Sequence, residues 1–353
     1  MNYLHVELQS LGVKTPPDLP RRRGGAGPAE GVVIILHGRF LNVPTVSSYV
    51  ASSPFEIKSS NGSLFLFRDG TVIEKVYLPR RPCFYGLKTP DGIFFDKLAL
   101  VHGKDCFATT VYQDCLYWQS KDTCAFCGIG ISLRNHHTVL EKHPEALALV
   151  AKHAKLLDNV THATLTTGIR ISEGETVCHL AWCIAAIKKE TNLPIHVQIC
   201  PPSNINYLEW LKNAGADTVG IHIESFDRTA LKRVAPSKAA FGFDSFISAW
   251  KHAVSVFGKN QVSSFIIAGL EEDEKSIIEG AELLCELGVF PYVLPLRPVP
   301  GTLLESARPP DPDAMVHVYQ QTGVLLKKYG LSTDAFKAGC VKCGACSSIC
   351  LFA

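Results

Sequence analysis

The chain has 353 residues, 19% of them charged, and its formal net charge at pH 7 is only +2. This length accommodates a catalytic barrel with an added domain, because single domains mostly span ~100–250 residues. The near-neutral charge gives no global indication of a nucleic-acid or membrane-surface partner. The N-terminal residues do not show the basic segment followed by an apolar run that is typical of a signal peptide. No stretch approaches the ~20 apolar residues that are needed to span a bilayer, so we expect a cytoplasmic protein.

Residues 1–105 predict a β-rich N-terminal domain. Asp69-Gly70 lies between the strand-like runs LFLF and TVIEKVYL, and Asp-Gly in this position predicts a hairpin. The segment RRRGGAGPAEG at 21–31 joins three cations to a flexible backbone. It is interpreted either as an anion-binding lid or as a solvated linker.

Residues 106–305 alternate between strand patterns and helix patterns six times. This alternation predicts α/β architecture with a parallel sheet, and the most economical form is a partial (β/α)6 TIM-like barrel. Functional groups in such barrels lie at the C-terminal ends of the strands. Residues 306–353 leave this pattern and are predicted to form a C-terminal helix and extension. The strand candidates are CFATTVY, HATLTT, IHVQIC, TVGIHIE, QVSSFIIAG and PYVLPL.

Thirteen cysteines without a secretion signal favour metal thiolates over disulfides. Cys115, Cys124 and Cys127 follow the first barrel strand with the spacing C-x8-C-x2-C. Three soft thiolate ligands suit an iron-sulfur cluster that keeps one iron open for a further ligand. The alternatives are a zinc clip and simple burial of the cysteines.

Three cysteines after the first strand, an aromatic residue (Phe126) before the last of them, and the following β/α repeats resemble the radical S-adenosylmethionine (SAM) superfamily. The resemblance implies that the open iron binds the methionine moiety of SAM. The reduced cluster then cleaves a carbon-sulfur bond and releases a 5′-deoxyadenosyl radical. The usual spacing in the superfamily is C-x3-C-x2-C, and this chain has five more residues in the first interval.

The resemblance also implies SAM contacts at the ends of the second and fourth strands. Thr166, Thr167 and Gly168 match a small, polar stretch whose backbone approaches the methionine amino group, and glycine permits that approach. Glu224, in GIHIES, matches a carboxylate that contacts the ribose or the amino group, since a carboxylate accepts two hydroxyl hydrogen bonds. Core packing and turn formation are the alternatives for these positions.

Two later strands supply the remaining implied contacts. Ile267 and Gly269 in FIIAGLEE match a strand that packs against adenine. Arg297 stands at the end of the sixth strand, where a guanidinium can hold a carboxylate through two hydrogen bonds. The nearby cations Lys232, Arg233 and Lys238 are interpreted as a solvated helix face, with contact to the cofactor carboxylate as the alternative.

The C-terminus carries a second cysteine group with the spacing C-x2-C-x2-C-x3-C, as in bacterial ferredoxins. This spacing predicts an auxiliary 4Fe-4S cluster, with a zinc knuckle as the alternative. Cys350 completes the cluster, or one iron stays open or takes an outside ligand such as Cys83. The four cysteines are Cys340, Cys343, Cys346 and Cys350.

Four other cysteines lie among apolar residues, in helix or strand patterns, and are predicted to belong to the core. They are Cys178, Cys183, Cys200 and Cys285.

Taken together, the motifs resemble a radical SAM subfamily that is encoded beside a nitrilase, an acetyltransferase and a flavoprotein. The resemblance implies two 4Fe-4S clusters, SAM, a small-molecule substrate from nitrile, cyanide or related nitrogen metabolism, and an electron donor such as flavodoxin or ferredoxin. Two other functions stay open: transfer of an aminocarboxypropyl group from SAM, and a non-enzymatic role as an iron-sulfur electron carrier or maturation scaffold.

Overall fold

The structure, a computed structural model, describes residues 2–19, 31–118 and 120–353. The predicted lid or linker at 21–31 therefore lies outside the described residues except for Gly31. Within the described ranges, no helix is both long enough and apolar enough to cross a membrane.

The N-terminal region contains one helix and two small antiparallel sheets, β1-β2 and β3-β4-β5. The predicted hairpin is confirmed as β4-β5, with Asp69 and Gly70 in its turn at positive φ. The opening helix has no counterpart in the sequence analysis. The elements are α1 (Asn2–Leu11), β1 (Gly31–Leu36), β2 (Arg39–Pro44), β3 (Phe55–Ser60), β4 (Ser63–Arg68) and β5 (Thr71–Val76).

A seven-stranded sheet forms the centre of the molecule in the order β12-β11-β10-β9-β8-β7-β6. Six of its strands are parallel, as predicted, and the short β6 is antiparallel to β7 at the edge. Among the described residues β12 does not pair with β7, so the sheet is an open, partial barrel. The strands are β6 (Leu100–His102), β7 (Cys106–Thr110), β8 (His162–Thr166), β9 (Ile195–Ile199), β10 (Thr218–Ile221), β11 (Val262–Ala268) and β12 (Phe290–Pro295).

The longer helices pack around the sheet because each buries an apolar stripe in the core. Trp250 on α8 is fully buried, and its indole nitrogen donates to the carbonyl of Ile221 at 2.9 Å. The helices are α2 (Ile129–Arg134), α3 (Pro144–Asp158), α4 (Glu173–Thr191), α5 (Tyr207–Ala214), α6 (Arg228–Val234), α7 (Pro236–Phe241), α8 (Phe243–Phe257), α9 (Glu274–Glu286), α10 (Pro312–Tyr329) and α11 (Cys340–Cys343).

After α10 the chain runs beneath the barrel, across the N-terminal ends of the strands. The amide of Gly339 donates to Nδ1 of His162 at 3.2 Å, and Thr218 donates to the carbonyl of Ala338 at 3.2 Å. On the other side, the amide of Asn42 in β2 donates to Ala345 at 2.8 Å. The cysteine-rich tail is thus held between the barrel floor and the β1-β2 hairpin.

Candidate active site

The three cysteines of the first motif lie on the loop that leaves β7 at the C-terminal edge of the sheet. The amide of Cys115 donates to Asp114 Oδ1 at 2.8 Å, and the amide of Cys127 donates to the carbonyl of Cys124 at 2.9 Å. All three are half-buried and line one cavity of about 370 Å³ inside the barrel. The loop position that the spacing predicted is confirmed.

Trp118 occupies the longer first interval of the motif. Its indole nitrogen donates to the carbonyl of Cys127 at 3.2 Å, and Arg134 lies 4.7 Å from its ring centroid. A Cβ on Gly130 would come within 2.3 Å of the ring, so glycine is needed for this packing. Trp118 therefore packs against the last cysteine of the motif and against α2.

The surroundings of these thiols favour a positively charged partner. Burial, together with the neighbouring Cys124 and Cys115, raises the pKa of the Cys127 thiol to about 12. Burial likewise raises the pKa of Cys124, although the Lys238 cation opposes the effect. Buried thiols become thiolates when a metal cation compensates the charge, which is the chemistry of an iron-sulfur donor set.

Glu224 and Lys238 form a buried ion pair in the same cavity. The Lys238 ammonium donates to Glu224 Oε1 at 2.6 Å and to the carbonyl of His222 at 2.7 Å. Burial disfavours the charged amine, but the carboxylate and the thiols of Cys200 and Cys124 outweigh it and raise the pKa of Lys238. The interpretation of Lys238 as part of a solvated face was wrong, whereas Lys232 and Arg233 are exposed.

A solvated helix face was expected at Lys238, whereas α6 ends at Val234 and a new helix begins at Pro236. The change of helix turns the chain so that Lys238 points back into the barrel. Pro236 was the available signal, because proline favours the first turn of a helix.

Glu224 has an unusual backbone as well as a charged partner. Its φ is 74°, a left-handed conformation that non-glycine residues seldom adopt and that clusters at functional sites. Backbone hydrogen bonds to the strand β11 hold it there. The carbonyl of Glu224 accepts from the amide of Ile267 at 2.8 Å, and the amide of Glu224 donates to the carbonyl of Phe265 at 3.0 Å. Its second carboxylate oxygen, Oε2, is buried with no hydrogen-bond partner in the described part of the chain.

Thr166, Thr167 and Gly168 line the cavity beside the cysteine loop. A Cβ on Gly168 would lie 1.7 Å from the carbonyl oxygen of Asp114, so only glycine fits. This close approach joins the end of β8 to the start of the cysteine loop. The glycine is required by backbone packing, and the predicted contact of this stretch with SAM stays a prediction.

The remaining predicted contacts divide into two groups. Phe126, Ile267 and Arg297 line the cavity. Gly269 is not among the described lining residues; it has a φ of 101°, and a Cβ there would meet Pro310 at 3.0 Å. Gly269 therefore serves a turn beyond the strand, and its predicted position beside adenine gains no support from this geometry.

Arg297 connects the cavity with the N-terminal region. Its Nη2 donates to the carbonyl of Asn42 in β2 at 2.9 Å, whereas Nη1 is buried without a hydrogen-bond partner among the described residues. One face of the guanidinium is thus fixed by the protein, and the other is available to a ligand in the cavity.

Two more strand residues form an aromatic wall of the cavity. The rings of His222 and Phe265 stack with centroids 3.7 Å apart and planes 8° from parallel. His222 Nδ1 accepts from the amide of Phe265 at 3.1 Å. Neither residue is distinctive in the sequence, because a histidine and a phenylalanine in strand patterns resemble ordinary core.

Comparison with known proteins identifies the domain that contains this cavity. Residues 121–284 match the family model of the Radical SAM superfamily. The match includes Cys124, Cys127, Glu224 and Lys238, and Cys115 lies just before it. The chain carries a radical SAM domain.

A curated relative and three solved structures resemble the chain. Bacteriochlorophyllide c C-7(1)-hydroxylase from Chlorobaculum limnaeum is 29% identical over 139 residues, or 39% of this chain and 34% of the relative. The match thus spans about a third of the relative's length.

The solved structures resemble the chain at low sequence identity. Methylornithine synthase has a TM-score of 0.46 at 18% identity, covering 63% of this chain and 68% of that one. A maturase of the FeFe-hydrogenase has a TM-score of 0.46 at 15% identity, covering 63% and 50%. A radical SAM methyltransferase from Sphaerobacter thermophilus has a TM-score of 0.48 at 14% identity, covering 79% and 76%.

Cys200 was predicted to belong to the core, but it lines the cavity of the radical SAM domain. Burial raises its pKa to about 12, with Cys124 and Cys115 close enough to add to the effect. Cys183 and Cys285 are buried as predicted, and Cys178 is half-buried on α4. The position of Cys200 directly after β9 was the missed signal, because strand ends line the site in this fold.

The second cysteine group lies at the opposite end of the barrel, on α11 and the segment that follows. Three side chains direct N–H groups at its sulfur atoms. Gln198 lies 3.5 Å from Cys340 Sγ, Asn42 lies 3.6 Å from Cys346 Sγ and Arg39 lies 3.8 Å from Cys350 Sγ.

The packing around this group is also close. A Cβ on Gly103 would lie 2.7 Å from Cys343 Sγ, so the backbone there forms a cradle that only glycine allows. Buried Cys106 lies in contact with Cys343. Cys83 lies instead in a short 3-10 helix, Cys83–Gly86, where its amide donates to Asp158 on α3 at 2.7 Å. The structure therefore does not bring Cys83 to the tail.

Four thiols, three of which have N–H donors directed at sulfur, suit an iron-sulfur cluster, whose sulfur atoms accept such bonds. Within the described ranges, no group of three or more His, Cys, Asp or Glu residues is arranged to hold a single metal ion.

Proposed function

We propose that this protein is a radical SAM enzyme that generates a 5′-deoxyadenosyl radical and uses it to abstract hydrogen from a small polar molecule. The observation that carries the proposal is the shared cavity. Cys115, Cys124 and Cys127 line it together with the buried Glu224–Lys238 pair. This arrangement provides sites for a cluster and for a charged, polar cofactor beside it.

A 4Fe-4S cluster held by the three cysteines would supply the electron that cleaves the carbon-sulfur bond of SAM. The protein binds and orients the reactants. Glu224 Oε2 is available to accept hydroxyl hydrogen bonds, and the contact of Lys238 with Oε1 fixes the rotamer of this side chain. Arg297 Nη1 is available to a carboxylate. The apolar wall formed by Phe265 and Ile267 suits a flat ring and excludes water.

We further propose that Cys340, Cys343, Cys346 and Cys350 hold a second 4Fe-4S cluster. The ferredoxin-like spacing and the three N–H donors at sulfur support this proposal. Cys350 is proposed as the fourth ligand because Arg39 is directed at its sulfur and Cys83 lies elsewhere. Arg39 opposes the effect of burial, which raises the pKa of the Cys350 thiol.

The resemblance to the subfamily encoded beside a nitrilase suggests the substrate class. We propose a small nitrogen-containing molecule from nitrile or cyanide metabolism. This part of the proposal rests on gene neighbourhood and on no contact in the cavity.

The experiment that tests the proposed activity is anaerobic incubation of the reconstituted, dithionite-reduced protein with SAM, followed by chromatography of the nucleosides. We expect 5′-deoxyadenosine from the wild type and none from Cys124→Ala. Methylthioadenosine in its place would indicate aminocarboxypropyl transfer. Absence of SAM binding and of both nucleosides would overturn the proposal in favour of an electron carrier.

A further inference from the structure

A second cavity, of about 720 Å³, opens on the outer side of the cysteine-rich tail. Cys343 and Cys350 line its inner wall. Four basic side chains surround it, each from a different part of the chain. They are Arg39, Lys104, Lys327 and Lys342.

These four cations are exposed, and within the described ranges none of them pairs with a carboxylate. Two acidic side chains, Asp105 and Asp334, also line this cavity. The side chains around the outer cavity therefore carry four positive charges against two negative ones, whereas the formal net charge of the whole chain is only +2.

The tail forms a wall between the two cavities. Cys346 lines the inner cavity, which also contains Cys124 and its partners, whereas Cys343 and Cys350 line the outer one. One cysteine group thus faces the radical SAM site on one side and a basic, solvent-open surface on the other. This placement suits a group that passes electrons between a partner outside the protein and the barrel interior.

We infer that the outer basic cavity is the docking surface for a small electron-carrier protein with an acidic face. The inference rests on the proposed function, since it requires the second cluster. In the step itself, one electron leaves the reduced carrier and enters the oxidised cluster of the tail. The carrier is oxidised by one electron and the cluster is reduced by one electron. No covalent bond forms or breaks, and no proton is transferred.

Charge complementarity favours this surface over the mouth of the inner cavity. Opposite charges on two surfaces accelerate encounter, and a cation already paired contributes less. In the inner cavity Lys238 is paired with Glu224, and the free Nη1 of Arg297 is buried, where a protein surface does not reach it. An acidic carrier therefore meets unpaired cations at the tail.

The test compares two charge-reversed variants with the same change in net charge. Lys104→Glu/Lys327→Glu reverses two charges at the outer cavity, and both residues lie outside the segment that carries the four tail cysteines. Lys189→Glu/Lys251→Glu is the matched control, because both lysines are exposed on α4 and α8 and line neither cavity. The probe is a reduced 2Fe-2S ferredoxin of net negative charge. Calorimetry measures the affinity of this ferredoxin for each reconstituted protein, and stopped-flow absorbance measures the rate at which it reduces the cluster.

We expect association with the outer-cavity variant to be roughly 10- to 100-fold slower at low salt, and the control to behave as wild type. High salt should remove the difference, because the Debye length falls to ~3 Å at 1 M. Iron content and dithionite-driven formation of 5′-deoxyadenosine should be the same in all three proteins. That readout separates the inference from the proposed function, which fails only if dithionite-reduced wild type is inactive.

Equal ferredoxin binding and equal reduction rates in both variants would overturn the docking surface. So would tight binding of inorganic phosphate that depends on Lys104 and Lys327 and leaves ferredoxin binding unaffected, since this would identify a site for small anions.

Discussion

The two cysteine groups lie at opposite ends of one barrel, and their surroundings differ. The first group lies on a strand-to-helix loop beside a buried ion pair, Glu224–Lys238, and its thiols face the cavity. The second lies beneath the strands, where N–H groups of Gln198, Asn42 and Arg39 point at sulfur. The first environment provides charge and open space for a ligand, and the second provides hydrogen bonds.

This difference indicates separate tasks. Charged groups with unused hydrogen-bonding atoms, such as Glu224 Oε2 and Arg297 Nη1, bind and orient another molecule. Hydrogen bonds to cluster sulfurs tune a reduction potential. We therefore expect reactions at the first group and electron transfer at the second, and the predictions below test the surroundings of each group.

The largest effect is expected from removing one cysteine of each group. In Cys127→Ala the rate of SAM cleavage should fall to the background rate. The variant should keep the iron bound by the tail, which is about four atoms per chain. Cys346→Ala should keep the other cluster and dithionite-driven cleavage within about tenfold. Iron analysis and nucleoside chromatography check both, with Cys178→Ala as a control for cysteine loss. If Cys346→Ala also abolished dithionite-driven cleavage, the division of tasks would be wrong.

Breaking the ion pair comes next. Glu224→Gln leaves the Lys238 cation buried without its partner, which should lower the free energy of unfolding by about 3 kcal/mol. It also removes the proposed ribose contact, so SAM affinity should fall roughly 10- to 100-fold. Calorimetry on reconstituted protein measures the affinity. Iron content should not change, and Glu224→Gln/Lys238→Met should recover part of the lost stability. Unchanged affinity in a folded, iron-loaded variant would contradict the assigned contact.

A pH-dependent effect is expected from Lys142, which supports the base of the first cysteine loop. Its ammonium donates to the carbonyl of Thr110 at 2.5 Å, and burial lowers its pKa from 10.5 to about 7. Between pH 7 and pH 10.5, Lys142 is protonated in the unfolded chain and neutral in the folded protein, so the free energy of unfolding rises with pH. Below about pH 7, the contribution of Lys142 to that free energy does not change with pH.

Urea unfolding of wild type and Lys142→Met, compared at pH 7.5 and pH 9.5, tests this dependence. The difference in unfolding free energy between the two proteins should change by up to about 2.5 kcal/mol in favour of wild type at the higher pH. A difference that stays constant would show that Lys142 keeps an ordinary pKa.

The smallest effect concerns the tail. Gln198→Leu removes one N–H donor from Cys340 Sγ, which should destabilise the more negative, reduced cluster. A loss of about 1 kcal/mol corresponds to a reduction potential lower by ~40 mV for one electron. Redox titration followed by electron paramagnetic resonance measures both clusters. The potential of the first cluster should stay unchanged, and a shift in that cluster alone would reverse the assignment.

The repeating architecture could be predicted from the sequence alone. Strand and helix periods are local properties, so β7 to β12 appear where the alternation predicted them. The spacing of the two cysteine groups is also local, and the first group together with the β/α repeats carried the resemblance to the radical SAM superfamily. The hairpin at Asp69-Gly70 needed only a turn signal.

Which distant residues share the cavity could not be predicted from local sequence. Lys238 meets Glu224 because Pro236 starts a new helix, and Cys200 meets the first cysteine group because neighbouring strands end at one edge of the sheet. The tail reaches the barrel floor through contacts with residues as far away as Asn42. Such contacts depend on the curvature of the sheet and on which distant segments pack against it, and neither property is encoded in a short stretch of sequence.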